Sequence, residues 1–202
     1  MKILLIHLKP KDGLYEVDEA LAKIKCDRLT LKYFPYPHPY KIALATIKEH
    51  KEYSHIVWVQ NDIILTKEVF DKLVLQIESK KLSILGASMN VDLSPDGKEK
   101  CAYTTKPFEG FKPPYVKLGD NMGIIKVFHN GGVFIATREF YIKFPLKGNG
   151  KSGYNADIVQ GREIYDAGEN YYLDTSLNLL HLRFMGTMEV NRKPPGIEFV
   201  RN

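Results

Sequence analysis

The segment HIVWVQNDIIL, residues 55–65, constrains the fold of this chain more than any other stretch. Ile56 to Val59 form a continuous apolar and largely β-branched run, which is typical of a strand buried on both faces of a mostly parallel sheet. The run stops at Gln60-Asn61-Asp62. Open α/β sheets bind their ligands beyond the carboxyl ends of the strands, so Asp62 is the first candidate site residue.

The residues after this corner predict a helix. Thr66 is a suitable N-cap, and a helical apolar pattern follows over residues 67–79. An ordinary turn also explains the corner, because Asn and Asp side chains hydrogen-bond to their own backbone in tight turns. On these residues alone, the turn is the better interpretation.

The remaining periodicity predicts alternating strands and helices, which is typical of an α/β fold with a mainly parallel sheet. The predicted strands are 3–8, 27–34, 55–62, 82–89, 124–128 and 133–136, and the predicted helices lie around 17–24, at 41–50, at 67–79, from 138 onward and from 157 to 167. The loop after the first strand commonly faces the ligand in such sheets, which makes His7 and Lys9 candidate cofactor-binding residues. The chain has no Gly-x-Gly-x-x-Gly fingerprint and no Walker A motif.

Three irregular segments have two interpretations each. Residues 35–40, PYPHPY, are either a stacking platform for a base or sugar or a stiff connector, and the connector is slightly favoured. Residues 90–121 are rich in turn residues and predict a long binding loop with short antiparallel pieces rather than a disordered linker. The glycine-rich basic segment 147–153 predicts a mobile loop that orders over a ligand, although its Gly-x-Gly-Lys-Ser partly resembles a P-loop.

Composition places the chain among ordinary globular proteins, because 44% of its 202 residues are hydrophobic and 26% are charged. The net charge of +5 favours an anionic partner without choosing among nucleotide, nucleic acid and membrane.

Cys26 and Cys101 have no metal-ligand or redox spacing, so we expect both to be reduced and the protein to be cytoplasmic. Frequent Lys, Ile and Tyr are compatible with a thermophilic archaeal or viral source, in which case the location is the host cytoplasm. No apolar run approaches the roughly 20 residues that cross a bilayer.

Residues 57–73, VWVQNDIILTKEVFDKL, resemble the metal-binding segment of GT-A (family 2-like) glycosyltransferases. That family has a DxD-type motif at the end of a buried strand, followed by a short apolar stretch and a helix. Here the motif is Gln60-Asn61-Asp62, in which the last acid is present and Gln replaces the first. The resemblance implies that Asn61 and Asp62 contact a nucleotide-sugar, and that Asp62 binds Mn²⁺ or Mg²⁺.

Two later segments resemble the same family in the same order. Residues 129–141, HNGGVFIATREFY, resemble the turn and strand that help form the acceptor and donor-sugar pocket, which points to Asn130, Gly131 and Gly132. Residues 153–182 resemble the closing part of the catalytic domain, with an xED-type motif before a helix. The resemblance implies that Asp157 is the catalytic base and that His181 joins Asp62 on the metal ion.

The resemblance therefore implies a single GT-A domain over residues 1–202, a Rossmann-like mixed sheet flanked by helices. Its nucleotide-binding half would be 1–89, its acceptor and catalytic half 90–184, and its irregular tail 185–202. The implied activity is inverting, metal-dependent transfer of a sugar from a nucleotide-sugar to a glycan or glycoprotein acceptor. Alternatives are a noncatalytic relative that binds a sugar, nucleotide or protein, favoured by Gln60 and Ala156, and a basic nucleic-acid-binding domain. No nucleic-acid-binding motif accompanies the charge, so we expect no nucleic-acid partner.

Overall fold

The computed structural model describes residues 1–9, 15–35, 37–60, 62–91, 99–100, 122–130, 132–147, 156–182 and 194–202. The described residues form ten strands in one sheet: β1 Ile3–Lys9, β2 Asp27–Lys32, β3 His55–Val59, β4 Ile63–Ile64, β5 Ile84–Val91, β6 Glu99–Lys100, β7 Ile124–Val127, β8 Val133–Thr137, β9 Tyr171–His181 and β10 Gly196–Val200. The described helices are α1 Tyr15–Ala22, α2 His38–Glu49, α3 Lys67–Ser79, α4 Arg138–Lys143 and α5 Ala156–Asp166. The mixed α/β class predicted from the sequence is confirmed.

The strand order is β10-β2-β1-β3-β8-β5-β9-β4, with β6 beside β5 and β7 beside β9. The pairs β1–β2, β1–β3 and β5–β9 are parallel, whereas β8 is antiparallel to both β3 and β5. Strands β1, β2, β3, β5 and β9 therefore all point the same way. Their carboxyl ends meet at one side of the sheet, which we call the carboxyl edge, and the opposite side is the amino edge.

Trp58 in β3 is the centre of the aromatic core on one face of the sheet. Its ring stacks with Phe134 of β8 and Tyr141 of α4, at centroid distances of 6.4 and 6.1 Å, and lies 5.7 Å from the ring of Tyr40 in α2. All four side chains are buried. Aromatic pairs at these distances stabilise a core beyond the burial of their area, so this stack fixes the strand that leads to Asp62.

The local predictions around Asp62 are confirmed. Helix α3 begins at Lys67, and the Thr66 side chain caps it by accepting a hydrogen bond from the backbone N–H of Val69 at 3.3 Å. Tyr40 lies inside α2 and is buried against Trp58, which supports the connector interpretation of the proline-rich segment. Residues 101–121 and 148–153, which carry most of the predicted binding loop and mobile loop, lie outside the described residues.

The prediction of an irregular tail is wrong for Gly196–Val200. These residues form the edge strand β10, antiparallel to β2. Lys32 and Glu198 form an ion pair across the two strands, and the ring of Phe199 stacks on His50 at 5.4 Å. The cross-strand ion pair and the contact with His50 stabilise a five-residue strand whose own sequence signal is weak. None of the described helices is long and apolar enough to span a membrane.

Candidate active site

The structure brings Asp62 and His181 together although they are 119 residues apart in the chain. The two-residue strand β4 pairs antiparallel with the end of β9, with Ile63 opposite His181. The backbone N–H of Leu182 donates to the carbonyl of Asp62 at 2.7 Å. This pairing leaves His181 Nε2 3.0 Å from Asp62 Oδ2, at the carboxyl edge.

The Asp62 carboxylate has unused hydrogen-bonding capacity. Its side chain is 22% exposed and that of His181 is 24% exposed, so a small ligand can reach the pair. Asp62 Oδ1 is buried and accepts no hydrogen bond from any described residue. A buried oxygen without a donor is costly, and a ligand that supplied positive charge would remove the cost. The described residues contain no group of three His, Cys, Asp or Glu side chains arranged to hold a metal ion, and Asn61 lies outside them.

A second carboxylate and histidine pair is formed by Asp157 and His129. Asp157 Oδ2 lies 2.8 Å from His129 Nδ1, with side-chain exposures of 23% and 9%. Asp157 is the second residue of α5, in its first turn, whereas His129 lies between β7 and β8. Because α5 begins at Ala156, Asp157 lies inside the helix and not at the residue that precedes it.

Gly161 explains how α5 comes close enough for this contact. A Cβ at position 161 would lie 2.3 Å from the carbonyl oxygen of Phe128 and 2.8 Å from the Cβ of His129. Only glycine permits such an approach of a helix to a backbone. Gly161 is four residues after Asp157, so both lie on the helix face that meets the turn.

Two further contacts anchor α5 away from this pair. The Gln160 side-chain amide, fully buried, donates to the carbonyl of Phe144 at 2.7 Å. Lys147 Nζ lies 2.6 Å from Glu163 Oε1. The helix is therefore held at several points along its length.

The turn between β7 and β8 links the two pairs. The buried Asn130 side chain donates to the carbonyls of Ala87 and Val133, and its oxygen accepts from the backbone N–H of Gly132. A Cβ at Gly132 would lie 2.8 Å from Ile63 Cδ1, so the turn packs against the residue that follows Asp62. The residues around the turn therefore contact both the helix that carries Asp157 and the residue that follows Asp62.

No protein-family model matches the chain, and no curated protein matches it. Among solved structures, the chain is similar to A197 from STIV, with a TM-score of 0.64, 16% identity, and coverage of 92% of this chain and 87% of that one. It is also similar to GalNAc-T7 crystallised with UDP, GalNAc and Mn²⁺, with a TM-score of 0.56, 10% identity, and coverage of 89% of this chain and 43% of that one. The chain has a GT-A-like fold.

The remaining predicted site residues are each buried, paired or hydrogen-bonded in the fold, or lie outside the described residues. His7 is buried in β1, where burial lowers its pKa to about 4, and its Nε2 accepts or donates no hydrogen bond among the described residues. Lys9 forms an ion pair with Asp18 of α1. The Asn130 side-chain amide is already used in hydrogen bonds to the carbonyls of Ala87 and Val133. Gly131 lies outside the described residues. The ligand-contacting roles of His7, Lys9, Asn130 and Gly132 stay predictions.

Sequence reasoning missed His129 and Gly161. His129 begins the segment that resembles the pocket turn, but nothing local indicates a partner 28 positions further on. Gly161 carried a usable signal, because glycine inside a helix costs about 1 kcal/mol relative to alanine and usually has a packing reason.

Proposed function

We propose that this protein is a glycosyltransferase that moves a sugar from a nucleotide-sugar donor to an acceptor hydroxyl. The contact between Asp62 and His181 at the carboxyl edge carries the proposal. The GT-A-like fold supports it, since the similar GalNAc-T7 structure holds UDP, GalNAc and Mn²⁺. The acceptor would be a glycan or glycoprotein.

Asp62 and His181 are the residues that would hold Mn²⁺ or Mg²⁺. Their donor set fits such an ion in part: Asp62 Oδ1 is a buried carboxylate oxygen without a donor among the described residues, and imidazole is a common ligand of transition metals. Because the set combines oxygen and nitrogen, it suits Mn²⁺ better than Mg²⁺. A bound divalent ion would stabilise the negative charge that develops on the departing nucleoside diphosphate.

Asp157 would act as the general base of the reaction. Its carboxylate is partly exposed, so an acceptor hydroxyl can reach it. Removing the hydroxyl proton as the oxygen attacks the sugar makes the acceptor a better nucleophile. Direct attack of this kind inverts the configuration at the anomeric carbon.

The test is turnover of UDP-, GDP- and dTDP-sugars by the purified protein with Mn²⁺, with Mg²⁺ and with a chelator. We expect release of nucleoside diphosphate from one class of donor, with a metal requirement and loss of activity in Asp62→Asn. No turnover of any donor, with no donor-induced rise in melting temperature, would contradict the proposal.

A noncatalytic protein that binds a sugar or nucleotide is the second candidate. It is favoured because the described residues supply two metal-ligand side chains at the site rather than three, and because Gln60 and Ala156 stand where the resembled motifs carry acids. A donor that raises the melting temperature in the presence of Mn²⁺ without being turned over, with any acceptor tested, would support this candidate.

A further inference from the structure

We propose that His129 is a positioning residue for Asp157. Its Nδ1 lies 2.8 Å from Oδ2 of the carboxylate, and a proton donated across this contact would hold Oδ1 toward the acceptor hydroxyl. This inference rests on the proposed function and extends it, because it assigns a role to a side chain that lies behind the base.

The order of burial indicates that His129 acts through Asp157. The His129 side chain is 9% exposed and that of Asp157 is 23% exposed, so the carboxylate is the more accessible of the two. A substrate therefore meets the carboxylate first. Nδ1 and Oδ2 are 2.8 Å apart, which is within hydrogen-bonding distance, but the two groups are not aligned as in a formed hydrogen bond. Catalytic hydrogen bonds of unliganded enzymes often reach their final alignment only in the reacting complex.

The surroundings of His129 are built to keep its ring in place. The Phe128 ring contacts the imidazole edge-on, with centroids 5.8 Å apart. The next residue, Asn130, is fixed by hydrogen bonds to Ala87 and Val133. On the other side, Gly161 lets α5 lie directly against the Phe128 carbonyl and the His129 Cβ. The helix that carries Asp157 and the turn that carries His129 are thus held in one relative position.

A positioned base matters because general-base catalysis depends on geometry. A displacement of about 1 Å at a reacting group can reduce the rate by about 10²-fold. Asp157 has rotational freedom at its carboxyl group unless something holds one oxygen. Nδ1 of a fixed imidazole does this without entering the space that the acceptor needs.

Three substitutions distinguish this role from simple packing. In His129→Asn, the side-chain amide nitrogen occupies nearly the position of Nδ1, whereas in His129→Gln it lies nearer to that of Nε2, and His129→Leu supplies no donor. We expect Asn to keep kcat within about threefold of wild type, and Gln and Leu to reduce it by about 10–100-fold, with the donor KM unchanged in all three. Equal losses in the three variants, or no loss in Gln and Leu, would overturn the proposal.

Glu163→Gln is the matched control for the docking of α5. Glu163 anchors the same helix through Lys147, away from the pair, so this variant weakens docking without touching Nδ1. We expect a small drop in melting temperature and wild-type kcat. A loss of kcat in Glu163→Gln as large as that in His129→Leu would show that helix docking alone sets the rate, and would overturn the positioning role.

A measurement independent of activity separates this inference from the proposed function. In ¹⁵N-histidine NMR of the full chain, with the His129 signals assigned by their loss in His129→Asn, we expect a proton on Nδ1 and a change in that nitrogen's shift in Asp157→Ala. A bare Nδ1 would overturn the inference whatever the activity. A protonated, Asp157-sensitive Nδ1 in a protein that turns over no donor would overturn the proposed function instead, and would reduce the pair to a structural contact.

Discussion

Two carboxylates at opposite ends of the same sheet, Asp27 and Asp62, differ in how completely their oxygens are used. Asp27, at the amino edge and 6% exposed, accepts hydrogen bonds from the Tyr53 hydroxyl at 2.6 Å and the Asn202 backbone N–H at 2.9 Å. Lys2 Nζ lies 3.6 Å from the same carboxylate. Asp62, at the carboxyl edge, contacts His181 through Oδ2, and its Oδ1 has no hydrogen-bond partner among the described residues.

The difference separates an acid that stabilises the fold from one that is available to a ligand. The Tyr53 hydroxyl, above all, holds the pKa of Asp27 below its ordinary value, with smaller contributions from Asn202 and Lys2. Burial raises the pKa of Tyr53, so its hydroxyl stays a donor at all physiological pH values. Among the described residues, no comparable set of donors satisfies the Asp62 carboxylate. We therefore expect changes at the carboxyl edge to alter activity and changes at the amino edge to alter stability.

Asp157→Asn should have the largest effect. The amide keeps the size of the side chain but cannot take the acceptor's proton, so transfer should slow by about 10²–10⁴-fold. The melting temperature and donor binding should stay near wild type, because Asp157 is partly exposed and does not occupy the capping position of α5. Initial rates with saturating donor and acceptor check this. Full transfer by this variant would remove Asp157 from the mechanism.

Asp62→Asn should abolish the metal-dependent part of donor binding. A ligand at about 100 times its Kd stabilises the native state by about 2.7 kcal/mol, and this gain should appear in the wild type only when Mn²⁺ is present. In the variant, the melting temperature with nucleoside diphosphate should be the same with Mn²⁺ and with a chelator. Wild-type protein that responds equally in both conditions would show binding without the proposed ion.

The sequence predicted those parts of the structure whose signals are local. Ile56 to Val59 are apolar on both faces of their strand, and Thr66 lies directly before a helical pattern, so both elements follow from neighbours in the chain. The approach of Asp62 to His181 was expected from resemblance, and the pairing of β4 with β9 supplies its physical cause.

The unpredicted parts depend on contacts between distant residues. Asn202 reaches Asp27 across 175 positions, and strand β10 forms because β2 offers it an edge. The approach of His129 to Asp157 requires the packing of Gly161 on a turn that lies more than 30 positions earlier. Such contacts arise from tertiary packing, which neither periodicity nor local propensity encodes.

Tyr53→Phe should lower the stability and leave transfer unchanged. Removing the hydroxyl deprives a buried carboxylate of one donor, which costs about 1–3 kcal/mol at neutral pH. Because the folded pKa of Asp27 is depressed, its contribution is complete above the unfolded value of about 3.9 and is lost as pH falls through the lower folded value. The difference between wild type and variant should therefore be constant from pH 5 to 8 and narrow below about pH 4.

Urea unfolding at several pH values measures this difference, with Tyr165→Phe as the control because its side chain is largely exposed. The control should change the free energy of unfolding by less than about 0.5 kcal/mol. If the difference in free energy of unfolding between wild type and Tyr53→Phe grew as the pH fell, the lowered pKa of Asp27 would be contradicted. A loss of transfer in Tyr53→Phe would contradict the division between the two edges.

Lys2→Ala should have the smallest effect on the stability of the fold. It tests which neighbour stabilises the Asp27 carboxylate. The Lys2 side chain is about half exposed, and its Nζ lies 4.8 Å above the centroid of the Tyr53 ring as well as near the Asp27 carboxylate. Exposed ion pairs are weakened by water and salt. The substitution should therefore lower the free energy of unfolding by at most about 1 kcal/mol, and this loss should shrink at high ionic strength. Lys2→Met keeps the apolar stem and separates lost packing from lost charge. If Lys2→Ala lowered the free energy of unfolding more than Tyr53→Phe did at the same salt concentration, charge rather than hydrogen bonding would stabilise the Asp27 carboxylate. The contrast with Asp62 would then rest on the neighbouring lysine, and placing a lysine beside Asp62 would be expected to stabilise the fold at the expense of metal binding.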